Sequence, residues 1–349
     1  MKKLIYVIGI SIVLVCTGIF LGGLLNRYNE QGFETKGEDF EDAFVYESEV
    51  ENEQECTQFE EYDVQKSVCF FECDTKQECD EINQKIDTEL DVLENKYKEF
   101  ANKFKEFEGD VQDLEEVAEV VYNIDKGEDF VLVDGEPSED QKRIGGWLAS
   151  ILPTDFSDIF LDRLIFYRKE DDFAAFVSED MDLRKWDVYV NMKSFDEDGE
   201  IEMVFTLVHE FAHILTLNKT QVDAGIVDED KCKNYFVSEG CTKEDAYLNK
   251  FYKRFWENKF DVSAEGSVEN YDKNPSAFVT EYAATNPGED IAESFAAFVF
   301  GRKNEVQTTV AQNKINYLYE YPEFVKIRKS IRMELRPFAR KQIQNIRAH

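Results

Sequence analysis

Two of the three histidines in this chain stand four residues apart beside a glutamate, in His209-Glu210-Phe211-Ala212-His213, and the residues around them restrict their surroundings severely. From Ile201 to Leu217 there is no Gly or Pro, and apolar residues fall almost all the way round a 3.6-residue period. Such a segment is predicted to be a helix buried at the centre of its domain. Residues i and i+4 of a helix share a face about one turn apart, so both imidazoles can reach a single ion. A buried ring nitrogen without a partner costs roughly 1–3 kcal/mol. A metal ion is one such partner, and it takes the neutral imidazole. His-Glu-x-x-His is the arrangement that binds zinc through its histidines and offers the glutamate as a general base. The competing reading is a histidine pair on an ordinary amphipathic helix.

A catalytic zinc site takes three protein ligands and leaves one position open. The remaining histidine is the terminal His349, so the third ligand is expected to be a carboxylate. The segment Asn286-Pro287-Gly288-Glu289-Asp290-Ile291-Ala292-Glu293 offers one. Asn286 reads as an N-cap, Pro287 as the first helical residue and Glu289 as the third. Glu289 and Glu293 then share a face, while Ile291, Phe295, Phe298 and Val299 turn to the core. Glu289 is the expected ligand, and Glu293 the carboxylate that orients a liganding imidazole. A capping-box glutamate followed by a second surface glutamate is the alternative.

His-Glu-x-x-His followed by a Glu-x-x-x-Glu helix is the gluzincin pattern. The stretch Tyr282-Ala-Ala-Thr-Asn-Pro-Gly-Glu289-Asp-Ile-Ala-Glu293-Ser-Phe resembles the matching segment of the anthrax lethal factor-like peptidases and the related Pro-Pro endopeptidases. The resemblance covers roughly residues 200–300. It implies an α+β, zincin-like metallopeptidase domain with a small mixed sheet, an active-site helix and a C-terminal helical part. It also implies that Tyr282, seven residues before Glu289, donates to the oxyanion. The chain departs from the family by placing 75 residues between His213 and Glu289, two cysteines among them. On this reading one zinc ion is held by His209, His213 and Glu289, and Glu210 takes a proton from the attacking water.

Arg163–Arg168, Phe173–Val177 and Trp186–Asn191 are short, aromatic and β-branched, and read as strands. In peptidases of the resembling kind, the sheet lies against the metal helix and an edge strand binds the substrate backbone. Trp186–Asn191 is the expected edge, with Trp186, Val188 and Val190 as candidate substrate contacts. An ordinary sheet strand is the alternative.

Met1-Lys2-Lys3 precedes an uncharged run of 22 residues, Leu4 to Leu25, long enough to span a bilayer. Residues 1–27 are therefore expected to be a retained transmembrane signal anchor, and the flanking lysines favour an extracytoplasmic remainder. Cleavage and secretion is the alternative, disfavoured because no small-x-small site is evident. Apart from Cys16, six cysteines remain: Cys56, Cys69, Cys73 and Cys79 in one group, Cys232 and Cys241 in another. Disulfides are expected within each group, as suits an exported protein.

Residues 28–80 carry 18 acidic against 3 basic side chains and read as an acidic, largely disordered stalk. Over 81–125, Ile82, Ile86, Leu90, Leu93, Tyr97, Phe100, Phe104 and Phe107 recur at steps of three and four, an amphipathic helical segment expected to pack on the catalytic unit. That unit is expected to occupy 126–349, with an insertion at about 218–285. The net charge of −34 argues against nucleic acid as a partner and leaves a peptide or protein substrate. Residues 302–349 run the other way, with 11 basic against 4 acidic side chains. Ile315, Leu318, Tyr319, Phe324, Ile327, Ile331 and Leu335 read as helices packing on the domain, and the basic charge as a solvated face that offsets acidic neighbours, not a membrane-binding patch.

Two functions from different classes follow. One is a membrane-anchored extracellular zinc metallopeptidase; the other is a non-catalytic surface binding or adhesion module on a zincin-like fold. The complete set of Glu210, His209, His213, Glu289 and Tyr282 favours the enzyme, because a binding module loses its base or a ligand without penalty.

Overall fold

The computed structural model describes residues 76–100 and most of 114–348, with breaks at 115, 126–128, 171–172, 181–183, 263–265 and 304–307, preceded by three short strands. The expected anchor, residues 1–27, lies outside the described residues. Among the described residues no helix is long and apolar enough to cross a membrane. Within the expected stalk, β1 (Tyr46–Glu49), β2 (Glu61–Asp63) and β3 (Val68–Phe71) form an antiparallel sheet in the order β1-β3-β2. The acidic average of 28–80 hides local runs such as Val68-Cys69-Phe70-Phe71, whose residue types suit a pleated ladder.

The main sheet is mixed. β4 (Ala118–Asp125), β5 (Asp129–Asp134), β6 (Leu161–Tyr167), β7 (Ala175–Glu179) and β8 (Trp186–Asn191) stand in the order β5-β4-β6-β8-β7. β6 and β8 run parallel; the other neighbours are antiparallel. Side chains alternate across it as a strand requires. Leu164, Phe166, Val188 and Val190 enter the principal core, while Ile165, Tyr167 and Tyr189 join Leu114 and Phe176 on the opposite face.

Two expectations need correction here. β8 is not an edge: it pairs with β6 on one side and β7 on the other, and Trp186, Val188 and Val190 are at most 1% exposed. Bulky apolar residues facing both ways mark an inner strand. The edge on that side is β7. The helical segment expected over 81–125 does not reach its expected end: the helix Lys76–Phe100 covers its start, residues 101–113 lie outside the described residues, and residues 118–125 are β4, paired to both β5 and β6. A boundary at 126 would cut this sheet between two of its strands.

The helix Glu200–Leu217, which carries the histidine pair, packs on β7 and buries residues around its whole circumference. It starts after Gly199, whose φ of +96° favours glycine. The helix Pro287–Phe300 lies against it, and its residues are buried almost throughout. The N-terminal helix Lys76–Phe100 turns Ile82, Ile86, Leu90, Leu93 and Tyr97 inward, against the C-terminal helix Pro322–Ala348 and against Pro287–Phe300.

The basic C-terminal segment is not simply a solvated face. Lys314, Arg332 and Arg336 are buried. Arg328 donates to the carbonyls of Phe298 at 2.6 Å and Gly301 at 2.8 Å, and Arg332 to that of Val299 at 2.7 Å. A helix end shut away from water leaves carbonyls that need donors, and its dipole favours a cation there.

Candidate metal centre

The two halves of the centre come from helices far apart in the chain. On the first, the i, i+4 spacing puts His209 Nε2 and His213 Nε2 3.0 Å apart. On the second, Asn286 caps the N-terminus, accepting from the backbone N–H groups of Gly288 and Glu289, with Pro287 at the first position. Glu289 makes no return bond to the cap. Its Oε2 lies 3.1 Å from His209 Nε2 and 3.3 Å from His213 Nε2. Glu293, one turn further on, puts Oε1 2.8 Å from His209 Nδ1.

This donor set fits zinc. Tetrahedral ligation at about 2.0–2.1 Å puts ligand atoms about 3.3 Å apart. The three separations here are 3.0, 3.1 and 3.3 Å. No other group of three or more histidine, cysteine and carboxylate side chains placed to hold one ion occurs among the described residues.

The electrostatics follow from burial and pairing. Burial alone would lower the His209 pKa, but its bonds to Glu289 and Glu293 outweigh this and hold it well above the ordinary value. His213 is likewise raised, because Glu289 outweighs burial. Burial would lift the Glu289 carboxyl, yet the two imidazoles hold it well below the usual range. Glu210 goes the other way: burial raises its pKa despite the neighbouring histidines and a backbone hydrogen bond from Val177. A carboxylate with raised basicity beside the site can accept a proton from water.

Behind Glu289 the carboxylate helix is clamped. Asp290 is fully buried; its Oδ2 accepts from Trp256 Nε1 at 2.6 Å and lies 2.5 Å from Lys314 Nζ. Burial pushes the Asp290 carboxyl up to about 6 and the Lys314 ammonium down. Lys314 also sits 4.0 Å from the centre of the Phe278 ring, a cation–π contact.

The centre opens into a cleft of about 950 Å³. One wall is the edge strand β7; Glu210, Tyr282 and Glu289 lie at its base. The Tyr282 ring stands 5.9 Å from that of His209. The facing wall is built by the long insertion, where β10 (Phe236–Val237) and β11 (Gly240–Thr242) form a hairpin beside β9 (Val222–Asp223). Gly240 has φ +138°, and a Cβ there would lie 2.5 Å from the Asp223 carbonyl oxygen, so the tight approach of β11 to β9 requires glycine.

A disulfide between Cys232 and Cys241 closes this wall, with Cα atoms 5.4 Å apart. The side chains of Cys56, Cys69, Cys73 and Cys79 lie outside the described residues. Glu179, Glu229, Asp230 and Glu239 also line the cleft, and no Lys or Arg does among the described residues.

The cluster unites every metal-ligand candidate read from the sequence, with Glu210 and Tyr282 beside it. Trp186 borders the cleft, whereas Val188 and Val190 do not. Sequence reasoning missed Val177, Lys314, Trp256 and Tyr97, whose hydroxyl reaches Glu293. Tyr97 alone carried a signal, as a hydroxyl in the inner stripe of an amphipathic helix. Compared with protein-family models, curated proteins and solved structures, the chain matches none.

Proposed function

We propose that this chain is a zinc-dependent metallopeptidase with a gluzincin-type ligand set and a zincin-like fold. The observation that carries the reading is the meeting of His209, His213 and Glu289, donors 80 residues apart in the chain, at separations suited to one tetrahedral ion, at the base of an open cleft. Bound there, a zinc ion would supply Lewis acidity, making water nucleophilic near neutral pH and polarising a peptide carbonyl.

The chain's own side chains have distinct tasks. Glu293 accepts the Nδ1 proton of His209, which turns the Nε2 lone pair toward Glu289 and the ligand position. Glu210 takes a proton from the attacking water and delivers it to the departing amine nitrogen. Tyr282 offers a hydroxyl to the carbonyl oxygen as negative charge grows there. The outer N–H and C=O groups of β7 can pair with an extended peptide laid along the cleft. The acidic walls disfavour acidic substrate side chains at the positions facing Glu179 and Glu239. The Cys232–Cys241 disulfide supports an extracytoplasmic location, with the apolar run at 4–25 as the anchor.

The test is to purify the full chain, measure bound zinc, and incubate it with an unstructured peptide library with and without a chelator. One zinc per chain and chelator-sensitive cleavage are expected. Stoichiometric zinc without cleavage of any peptide would replace the enzyme with a zincin-like binding module. A chain that takes up no zinc removes the metal reading itself.

A further inference from the structure

The carboxylate behind His209 has a support that comes from outside the expected catalytic unit. Glu293 is fully buried, and Oε1 is taken by His209 Nδ1. The Tyr97 hydroxyl lies 3.4 Å from its Oε2 and 3.2 Å from its backbone carbonyl oxygen, across 196 residues of sequence. Tyr97 is 3% exposed. Its ring packs against Phe205 of the histidine helix at 5.3 Å and Phe300 of the carboxylate helix at 5.5 Å. It therefore touches both helices that supply ligands.

We propose that Tyr97 is a positioning residue of the metal centre, so that the N-terminal helix Lys76–Phe100 is part of the machinery that holds the ion and not a spacer. This rests on the reading of His209, His213 and Glu289 as metal ligands. A buried carboxylate with only one oxygen bonded is free to rotate about its last side-chain torsion, and a buried acceptor left unmade costs roughly 1–3 kcal/mol. The single Tyr97 hydroxyl proton, shared between Oε2 and the Glu293 carbonyl oxygen, restrains that torsion, and with it the direction in which Oε1 holds the imidazole. Burial, reinforced by Glu293, keeps the phenol pKa well above its ordinary value, so Tyr97 remains a donor across the physiological range.

The helix that carries the tyrosine is itself locked in place. Arg332 pairs with Asp87, Arg336 with Glu89 at 2.7 Å, and Arg302 with Asp91. Arg332 is also one of the donors to the end of the carboxylate helix. One arginine thus ties the N-terminal helix to the helix that carries Glu289 and Glu293.

The experiment uses the full chain and zinc(II) itself, with affinity measured by competition against a chromophoric chelator. Tyr97→Phe keeps the ring and removes only the hydroxyl. It should weaken zinc binding about tenfold, within the range for partners that orient a ligand, while the metal-free protein unfolds at nearly the wild-type temperature. The visible spectrum of the cobalt(II)-loaded variant should differ from that of wild type, a change that lost packing alone would not produce. Leu93→Ala, on the same buried stripe, should lower stability and leave the affinity of the folded protein unchanged. Wild-type zinc affinity and an unaltered cobalt spectrum in Tyr97→Phe would overturn the proposal. A wild-type chain that binds neither metal would instead overturn the metal reading on which it rests.

Discussion

The two helices that meet at the candidate metal centre are held by opposite means. The histidine helix is apolar nearly all round and is fixed by packing, with Phe211 set edge-on to Phe156 at 5.1 Å and to Phe295 at 5.9 Å. The carboxylate helix is also buried, but its ends are pinned by polar groups: the Asn286 cap, the Asp290–Lys314–Trp256 cluster and the arginines at its C-terminus. Apolar packing spreads the hold on the histidine helix over many contacts, so no single one of them decides its place. Pinned ends set where a single carboxylate stands, and each pin is a separate point of failure.

Substitutions can separate these two designs. The largest effect is expected on the packed helix without any loss of fold: Glu210→Gln should lower peptidase kcat by about 10²–10⁴ with zinc content and unfolding temperature near wild type. Retained turnover would remove Glu210 from the proton transfer. On the pinned helix, Lys314→Met leaves Asp290 buried without its cation and should cost about 3–5 kcal/mol in denaturant unfolding. A loss under 1 kcal/mol would mean that Trp256 alone suffices.

Protons give a comparison that spans both helices. Because the folded pKa values of His209 and His213 are raised above the ordinary imidazole value, the stability they confer on the metal-free protein is fully present below that value. It is lost as pH rises through the folded values. Zinc needs deprotonated imidazoles, so its stabilising effect grows over the same interval. Thermal melts should therefore show stability falling with pH above the ordinary imidazole value in the metal-free protein and nearly level with saturating zinc, and parallel slopes would disconnect the histidines from the ion. The smallest effect is expected at the cap, where Asn286→Ala should cost about 0.5–2 kcal/mol, read by the same melts.

The sequence was most informative where its signal is periodic or local. The histidine spacing, the Asn286-Pro287 start and the stripe from Ile82 to Tyr97 all reappear in the structure because each follows from helix geometry over a few residues. It misled where the answer depended on neighbours. β8 and β7 have similar residue types, and only the pairing of β8 with β6 makes one an inner strand and the other the wall of the cleft. Arg332 and Arg336 looked like surface charges because composition does not record carbonyl ends or carboxylates brought beside them by the fold.

What the chain alone determined is a pair of imidazoles on one helical face and a capped helix bearing Glu289 and Glu293, since both arise from the 3.6-residue repeat and from capping chemistry. That those carboxylates face those imidazoles, that β7 borders the cleft, and that Tyr97 stands behind Glu293 were decided by tertiary packing. Contacts between segments 80 and 196 residues apart depend on the path of the whole backbone, which no local pattern specifies.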